Sequence, residues 1–533
     1  MNPRLVLPRL RRLAGEHKLF TIALVVGALL RLDAMLGYPG ALWFAGDSYV
    51  YVGAALRPQP DLSKATGYSF FLRLLLPFHS FTLVTGVQHL MGLLVAVMIY
   101  VLLRRNGVSK TWSAIATLPQ LLDGYIIEVE HLTMAETLFT FLLMVALLLL
   151  LWRPRPRWWT AAVAGLLVGA ATVVRTEGEV MLAVLPLFLL LRGWSWKTLR
   201  GWAVAIVFTV AALIPFGAYA SWFHGRNSGT PIYSTTLSQG FYLWGRVSSF
   251  ANCAVIKPTG DEALVCPTQP IADRTPPGDY IWHAPYVHQD MNSIGGPVSV
   301  TGNRVLTDFA IKAVLAQPFD YAKTVVKDVL LSFGFPRIGY PGSGTTYYYS
   351  FHLHYTGTDP HTHKPLSLLP PNNPGHEWIP GGTAYEDWLS YGHQAPGVVH
   401  KIFAAPIAVY QRVVFTYGPL LAVIFLVGLG GLFSVTARRK GKGIGSVLSV
   451  PTLLSLRLHW RPRGTSMLPW VTAVALLVVP IAVADFDYRY LIPVIPFACM
   501  AAGLAFAPRR TAPDVKSASA AESVESTVPD QVA

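Results

Sequence analysis

The sequence predicts a polytopic α-helical membrane protein with about ten transmembrane helices and a mixed extracytoplasmic domain between the seventh and eighth. Three observations predict it. Only 13% of the 533 residues are charged, while 53% are hydrophobic. Soluble domains carry roughly 25% charged residues, so there is too little charge here to cover soluble globules. The apolar residues are also clustered. Segments 138–152 and 202–220 are almost continuously apolar and extend further, and a spanning helix needs roughly 20 mostly apolar residues. Finally, basic residues recur after every second apolar run.

By hydropathy the spans are 19–37, 81–103, 111–127, 132–152, 158–174, 180–192, 201–222, 412–434, 467–484 and 489–507. Arg4, Arg9, Arg11, Arg12 and Lys18 precede the first. No small-x-small cleavage site follows it, so it reads as a retained span rather than a signal peptide. Arg104, Arg105 and Lys110 follow the second span, and Arg153, Arg155 and Arg157 the fourth. Arg192, Lys197 and Arg200 follow the sixth, Arg438, Arg439, Lys440 and Lys442 the eighth, and Arg509 and Arg510 the last. With the N-terminus inside, all of these clusters fall inside. The expectation is a multi-pass protein of the cell membrane with both termini cytoplasmic. This pattern accounts for the net charge of +14, so no nucleic-acid partner is expected.

The chain divides into four regions: a transmembrane module at 1–222, an extracytoplasmic domain at 223–410, C-terminal transmembrane helices at 411–510, and a tail at 511–533. The second is too long for a structureless loop. Within it, 307–333 has helical periodicity and 336–380 reads as turns. Cys253 and Cys266 lie there, where an oxidising compartment permits a disulfide; the spacing alone does not pair them. Cys499, in an apolar run, reads as packing. The basic segment 436–467, with Trp460, reads as a surface helix. The tail, rich in Ala, Ser, Glu and Val, reads as disordered.

The unusual chemistry falls outside, near the span ends. Asp47 sits in Trp43-Phe44-Ala45-Gly46-Asp47-Ser48, after the first span. Ionisable groups near membrane depth are costly and tend to be functional, but Asp is also a favoured helix N-cap. Both readings stand at this point. The second outer turn holds Glu128, Glu130 and His131, with Asp123 just before. One acid there is explained by capping; several together point to function, since two carboxylates facing one site can divide acid–base work. Arg175-Thr176-Glu177 and Asp485-Phe486-Asp487-Tyr488-Arg489-Tyr490 each keep an Arg on the outer side, against the charge trend. A planar guanidinium suits phosphate; the alternative is a local pair with Glu177 or Asp487. His352, His354, His361 and His363 lack nearby Cys and are interrupted by Pro360, so they read as surface residues and no metal site is assigned.

In this order, these residues resemble the GT-C superfamily of membrane glycosyltransferases. The likeness is to the group of protein O-mannosyltransferases, the aminoarabinose lipid A transferase and actinobacterial phospholipid-carrier-dependent glycosyltransferases. The matching features are Asp47 in a long first loop, Lys64-Ala65-Thr66-Gly67-Tyr68 before span two, Glu130-His131 at the second turn, Arg175 after span five, and Arg489-Tyr490-Leu491-Ile492-Pro493 at the last span. One departure is that the family's first-loop lysine often precedes Pro-Pro, where Ala65-Thr66 stands here. The resemblance implies a hexosyl- or pentosyltransferase of the cell envelope, inverting, that moves a sugar from a polyprenyl-phosphate donor to a glycan, lipid or protein acceptor. It implies that Asp47 is the general base and that Glu130, with His131, holds the acceptor or a metal. Lys64, Arg175 and Arg489 would bind the lipid-linked phosphate, with Tyr68, Glu128 and Tyr490 at the substrate. A divalent cation is left open as cofactor. The alternatives are a transporter or lipid flippase and a non-catalytic envelope-assembly subunit. Transporters often carry inverted repeats with charges near mid-membrane; here the acids gather at one face and no repeat is visible.

Overall fold

A run such as Lys18–Gly37 has only Arg31 and Asp33 as charged residues beyond its first position, and it forms a single 20-residue helix, α1, about 30 Å long at 1.5 Å per residue. Its buried positions, Phe20, Ala23, Gly27, Arg31 and Ala34, recur every three or four residues. The opposite side exposes Ile22, Val25, Leu29 and Leu36. An apolar outer face with an arginine on the inner face inverts the soluble pattern and fits a helix surrounded by lipid.

In the computed structural model the described residues are 15–44, 46–282, 291–335, 348–358, 365–375, 377, 379–432, 434–436, 457–459 and 464–508. His361, His363, Trp460, the 511–533 tail and the basic residues Arg4, Arg9, Arg11, Arg12, Arg438, Arg439, Lys440, Lys442, Arg509 and Arg510 lie outside them. The remaining principal helices are α2 (Asp47–Leu56), α3 (Gly67–Leu75), α4 (Phe81–Arg105), α5 (Lys110–Ile115), α6 (Leu118–Leu122), α7 (Gly124–His131), α8 (Glu136–Leu151), α9 (Trp158–Val174), α10 (Met181–Leu191) and α11 (Leu199–Arg226). They continue with α12 (Gln239–Ser248), α13 (Val300–Ala316), α14 (Pro318–Leu331), α15 (Ala384–Gly392), α16 (Lys401–Val413), α17 (Gly418–Leu432), α18 (Gly464–Val483) and α19 (Val494–Ala505). Two antiparallel two-stranded ribbons, Thr356–Thr358 with Pro365–Ser367 and Ser434–Thr436 with Arg457–His459, complete the described structure.

Among the described residues, five helices are long and apolar enough to cross a membrane, or six if α16 and α17, bent by 60°, are one span. α8 and α9 are shorter apolar helices. The expected span 111–127 is broken into α5, α6 and the start of α7. Pro119 sits in the first turn of α6, where its missing N–H costs nothing. Asp123 is extended between α6 and α7. Its Oδ1 accepts the N–H groups of Tyr125 and Ile126, and its Oδ2 that of Thr416 at 2.6 Å. Asp123 is therefore a helix cap.

The helices pack through small residues. A Cβ on Gly165 or Gly169 of α9 would stand 2.2 or 2.1 Å from the carbonyls of Phe208 and Ala212 on α11, a close backbone approach of the small-xxx-small kind. A Cβ on Gly431 of α17 would stand 2.7 Å from the Ala505 methyl of α19, and one on Gly428 would stand 2.9 Å from the Trp470 ring of α18.

The 223–410 segment packs in two places. Phe241, Trp244, Tyr280, Leu306 and Phe309 form a core of their own, closed by a Cys253–Cys266 disulfide that spans 13 residues. Tyr349, Phe351, Trp388, Tyr391 and Ile407 belong instead to the large helical core. A backbone stitch ties the first loop to the bundle. Leu42 accepts from the Thr133 N–H (2.9 Å) and donates to the His131 carbonyl (3.0 Å), which fastens the segment before Asp47 to the turn that opens α8.

Candidate functional site

Gly46 precedes α2 with φ of 79°, a left-handed conformation that favours glycine. It is the N-cap residue, so Asp47 falls in the first helical turn and its side chain is released from capping. The Asp47 carboxylate instead lies between two cations. Oδ1 is paired with the Lys64 ammonium, and Oδ2 accepts from Arg489 Nη1 at 2.9 Å. The Arg489 guanidinium also lies 4.4 Å from the centre of the Phe44 ring, and its Nε is 3.4 Å from Oε1 of Glu136.

Glu136, in the first turn of α8, is fully buried and paired with Arg175. Arg175 holds Glu177 through two bonds, at 2.7 and 3.1 Å. The side chains thus alternate in sign: Lys64, Asp47, Arg489, Glu136, Arg175, Glu177. Each comes from a loop or first turn beside an apolar helix. Buried charge is tolerated only when paired, and here three cations meet three carboxylates. Asp487 sits behind Arg489; its Oδ1 accepts from the Arg489 backbone N–H at 2.9 Å and from the Tyr349 hydroxyl at 2.7 Å. It fixes the Arg489 backbone, whereas Glu177 holds a guanidinium directly.

Burial alone would raise the Asp47 carboxyl, but Lys64 and Arg489 outweigh it and hold it at about 2. For Lys64, burial works downward and the Asp47 charge wins, so it is raised. Asp485, half-buried and near Asp487, is pushed up to about 7 by desolvation and by the Asp487 charge.

The structure brings Asp47, Lys64, Arg175 and Arg489 together, and Tyr490 lies beside them, its ring 5.7 Å from the Arg489 guanidinium. It does not bring Glu130 and His131 to Asp47. Glu130 is bidentate with Arg31 of α1, at 2.7 and 2.8 Å, and accepts from His89 at 3.0 Å. His131 bonds His89 (3.0 Å) and the Tyr38 carbonyl (2.8 Å). With its two carboxylate oxygens engaged by a guanidinium and an imidazole, Glu130 ties α1, α4 and α7 together. Tyr68 is wholly buried and donates to Gln88 at 2.7 Å. Glu128 is buried with no hydrogen-bond partner on either oxygen among the described residues. A small cavity of about 20 Å³, lined by Glu130, Glu136, Gln120 and Thr140 among others, separates the two networks.

Glu136 is the site residue that sequence reading passed over. Its signal was present: it lies inside the expected span 132–152, where an acid is costly. Arg31 and His89 carried the same signal in the first and second spans.

Among the described residues no group of three or more His, Cys, Asp or Glu side chains is placed to hold a metal ion. The Asp47 and Glu136 carboxylates are already neutralised by Lys64, Arg489 and Arg175. The donor set therefore fits an anion taking over the cations better than a cation taking over the carboxylates.

No protein-family model matches the chain, and no curated protein does. Among solved structures, 40% of it is similar to the S. cerevisiae protein O-mannosyltransferase Pmt1-Pmt2 complex bound to the sugar donor, at 14% identity and a TM-score of 0.34, over 34% of that chain. Of its length, 97% is similar to the archaeal oligosaccharyltransferase AglB from Archaeoglobus fulgidus in complex with an inhibitory peptide and a dolichol-phosphate, at 11% identity and a TM-score of 0.42, over 52% of that chain. The apo form of an A. fulgidus oligosaccharyltransferase matches 91% of the chain at 12% identity and a TM-score of 0.40, over 50% of its own. The chain spans between about a third and a half of these proteins.

Proposed function

We propose that the chain is a membrane glycosyltransferase that moves a sugar from a polyprenyl-phosphate carrier to an acceptor hydroxyl on the extracytoplasmic side, with inversion. The observation that carries this reading is the Asp47 carboxylate held between Lys64 and Arg489. A carboxylate is the group that takes an acceptor proton, and two cations are the groups that take a leaving phosphate.

The chemistry runs as one displacement. The acceptor oxygen attacks the anomeric carbon, the bond from that carbon to the phosphate oxygen breaks, and the phosphate leaves with the electron pair. Asp47 receives the acceptor proton. Arg489 and Lys64 meet the developing phosphate charge, with Arg175 behind them and Glu136 setting the spacing of the two guanidinium groups.

A carboxyl held at about 2 is a weak base. The donor phosphate competes with Asp47 for the same two cations, so donor binding frees the carboxylate and makes it more basic. Donor therefore binds before proton transfer is possible. The 1–222 module and the 411–510 helices together supply the site, and the 223–410 segment is where acceptor choice would reside.

The test is the full-length protein in nanodiscs with a panel of polyprenyl-phosphate sugars and acceptors. Release of polyprenyl phosphate that needs acceptor, and that Asp47→Asn reduces by about 10²–10⁴-fold, supports the reading. Undiminished transfer by that variant removes Asp47 from the base role. Lipid movement across vesicles without sugar transfer favours the flippase instead.

A further inference from the structure

Helix α14 has two apolar faces. Tyr321, Val325 and Val329, four residues apart, pack into the large helical core. A second side carries Phe319, Val326 and Leu330, which are 89, 56 and 61% exposed, and Leu315 at the end of α13 is 75% exposed. At 100° per residue Phe319, Val326 and Leu330 fall within about 40° of one another, roughly 120° round α14 from the packed residues. Lys323 and Lys327 are exposed along one edge of the stripe, and neither makes an ion pair among the described residues.

The position of α14 decides what covers the stripe. The Tyr321 hydroxyl donates to the carbonyl of Ala482, at the end of α18, at 3.0 Å. Beyond α14, the Phe333 ring meets Phe425 of α17 edge-on, with centres 5.8 Å apart, and Phe335 stacks on Tyr417 just before α17 at 5.5 Å. A Cβ on Gly418, the first residue of α17, would stand 2.1 Å from the Gly334 carbonyl. The helix therefore lies across the ends of α17 and α18 that face the Asp47–Arg489 site, where Leu420 and Val423 of α17 are also exposed.

We propose that α14 is embedded in the headgroup layer of that leaflet, with Phe319, Val326 and Leu330 in the acyl region and Lys323 and Lys327 on anionic lipid phosphates. Charge selects this occupant. Lysines that edge an apolar stripe bury their stems and reach headgroups, and anionic lipid phosphates attract them. A stripe of this size is rarely left in water. The proposal does not depend on the glycosyltransferase reading.

Site-directed spin labelling tests it in the full-length protein. The native cysteines do not interfere, because Cys253 and Cys266 are bridged and Cys499 is buried. Labels at F319C and L330C, with R304C on α13 as the aqueous reference, are read in nanodiscs of phosphatidylcholine with or without phosphatidylglycerol. The expected result is a several-fold higher ratio of oxygen to nickel-chelate accessibility at 319 and 330 than at 304. The ratio rises further with phosphatidylglycerol, and K323Q/K327Q abolishes that rise. Ratios at both positions equal to that at 304 overturn the proposal, as does exclusion of both reagents, which would assign the face to a protein contact. A phosphatidylglycerol effect that survives K323Q/K327Q overturns the lysine contact.

Discussion

Asp47 and Arg489, 442 residues apart, meet through a 2.9 Å ion pair that closes the site between the first loop and the last helix pair. The competition between this pair and a phosphate gives the first prediction. Asp47→Asn lowers turnover by about 10²–10⁴-fold, yet it tightens donor binding, because Lys64 and Arg489 lose a rival carboxylate. Titration of a non-transferable donor analogue reads the second effect. Weaker binding by the variant would sink the competition.

Arg489→Ala removes the partner of Asp47 and a neighbour of Glu136 at once. Truncating one member of such a buried charge pair costs roughly 2–5 kcal/mol of binding, so donor affinity falls by at least about tenfold. Arg489→Lys recovers little of it, since an ammonium cannot hold two oxygens as a planar fork does. Full recovery by lysine would reduce Arg489 to a point charge.

The Arg31–Glu130 pair predicts a stability effect. Arg31→Ala leaves a buried carboxylate without its counter-ion and costs about 3–5 kcal/mol, which thermal unfolding in detergent reads as a lower Tm. Glu130→Gln keeps the shape and costs less. A Glu130→Gln protein with unchanged Tm and no transfer would put Glu130 back in the chemistry.

Asp485 sets a pH dependence. Its folded carboxyl is raised to about 7, above the ordinary value of about 3.9. The folded state therefore holds a proton that the unfolded state has released, so stability falls as pH rises from about 4 to about 7 and then levels. Asp485→Asn lacks that slope. Melting curves across this range should separate as pH increases, with the variant the more stable near pH 7. Parallel curves would contradict the assignment.

The membrane character was legible because apolar runs and basic loops are local signals. That Asp47, Lys64, Arg175 and Arg489 stand out, and that the fold brings them together, has a related reason, since each is a charge displaced from where the membrane tolerates it. Glu136 was not legible, because its cost was hidden in the average of an apolar run. Glu130 and His131, expected beside the acceptor, are instead paired with Arg31, His89 and Tyr38. Arg31 is 99 residues away from Glu130, and no local pattern announces such a partner. The broken third span was readable in principle from Pro119 and Asp123.

The stitching of residues 47 and 489 also orders the protein's synthesis. A chain made only as far as α17 already holds Asp47, Lys64, Glu136 and Arg175, but its cations and carboxylates are one guanidinium short. Insertion of the Arg489 turn with α19 supplies that charge last, so the alternating chain of charges is incomplete until the final helix pair is in place. Maturation of the site and completion of the bundle become a single event.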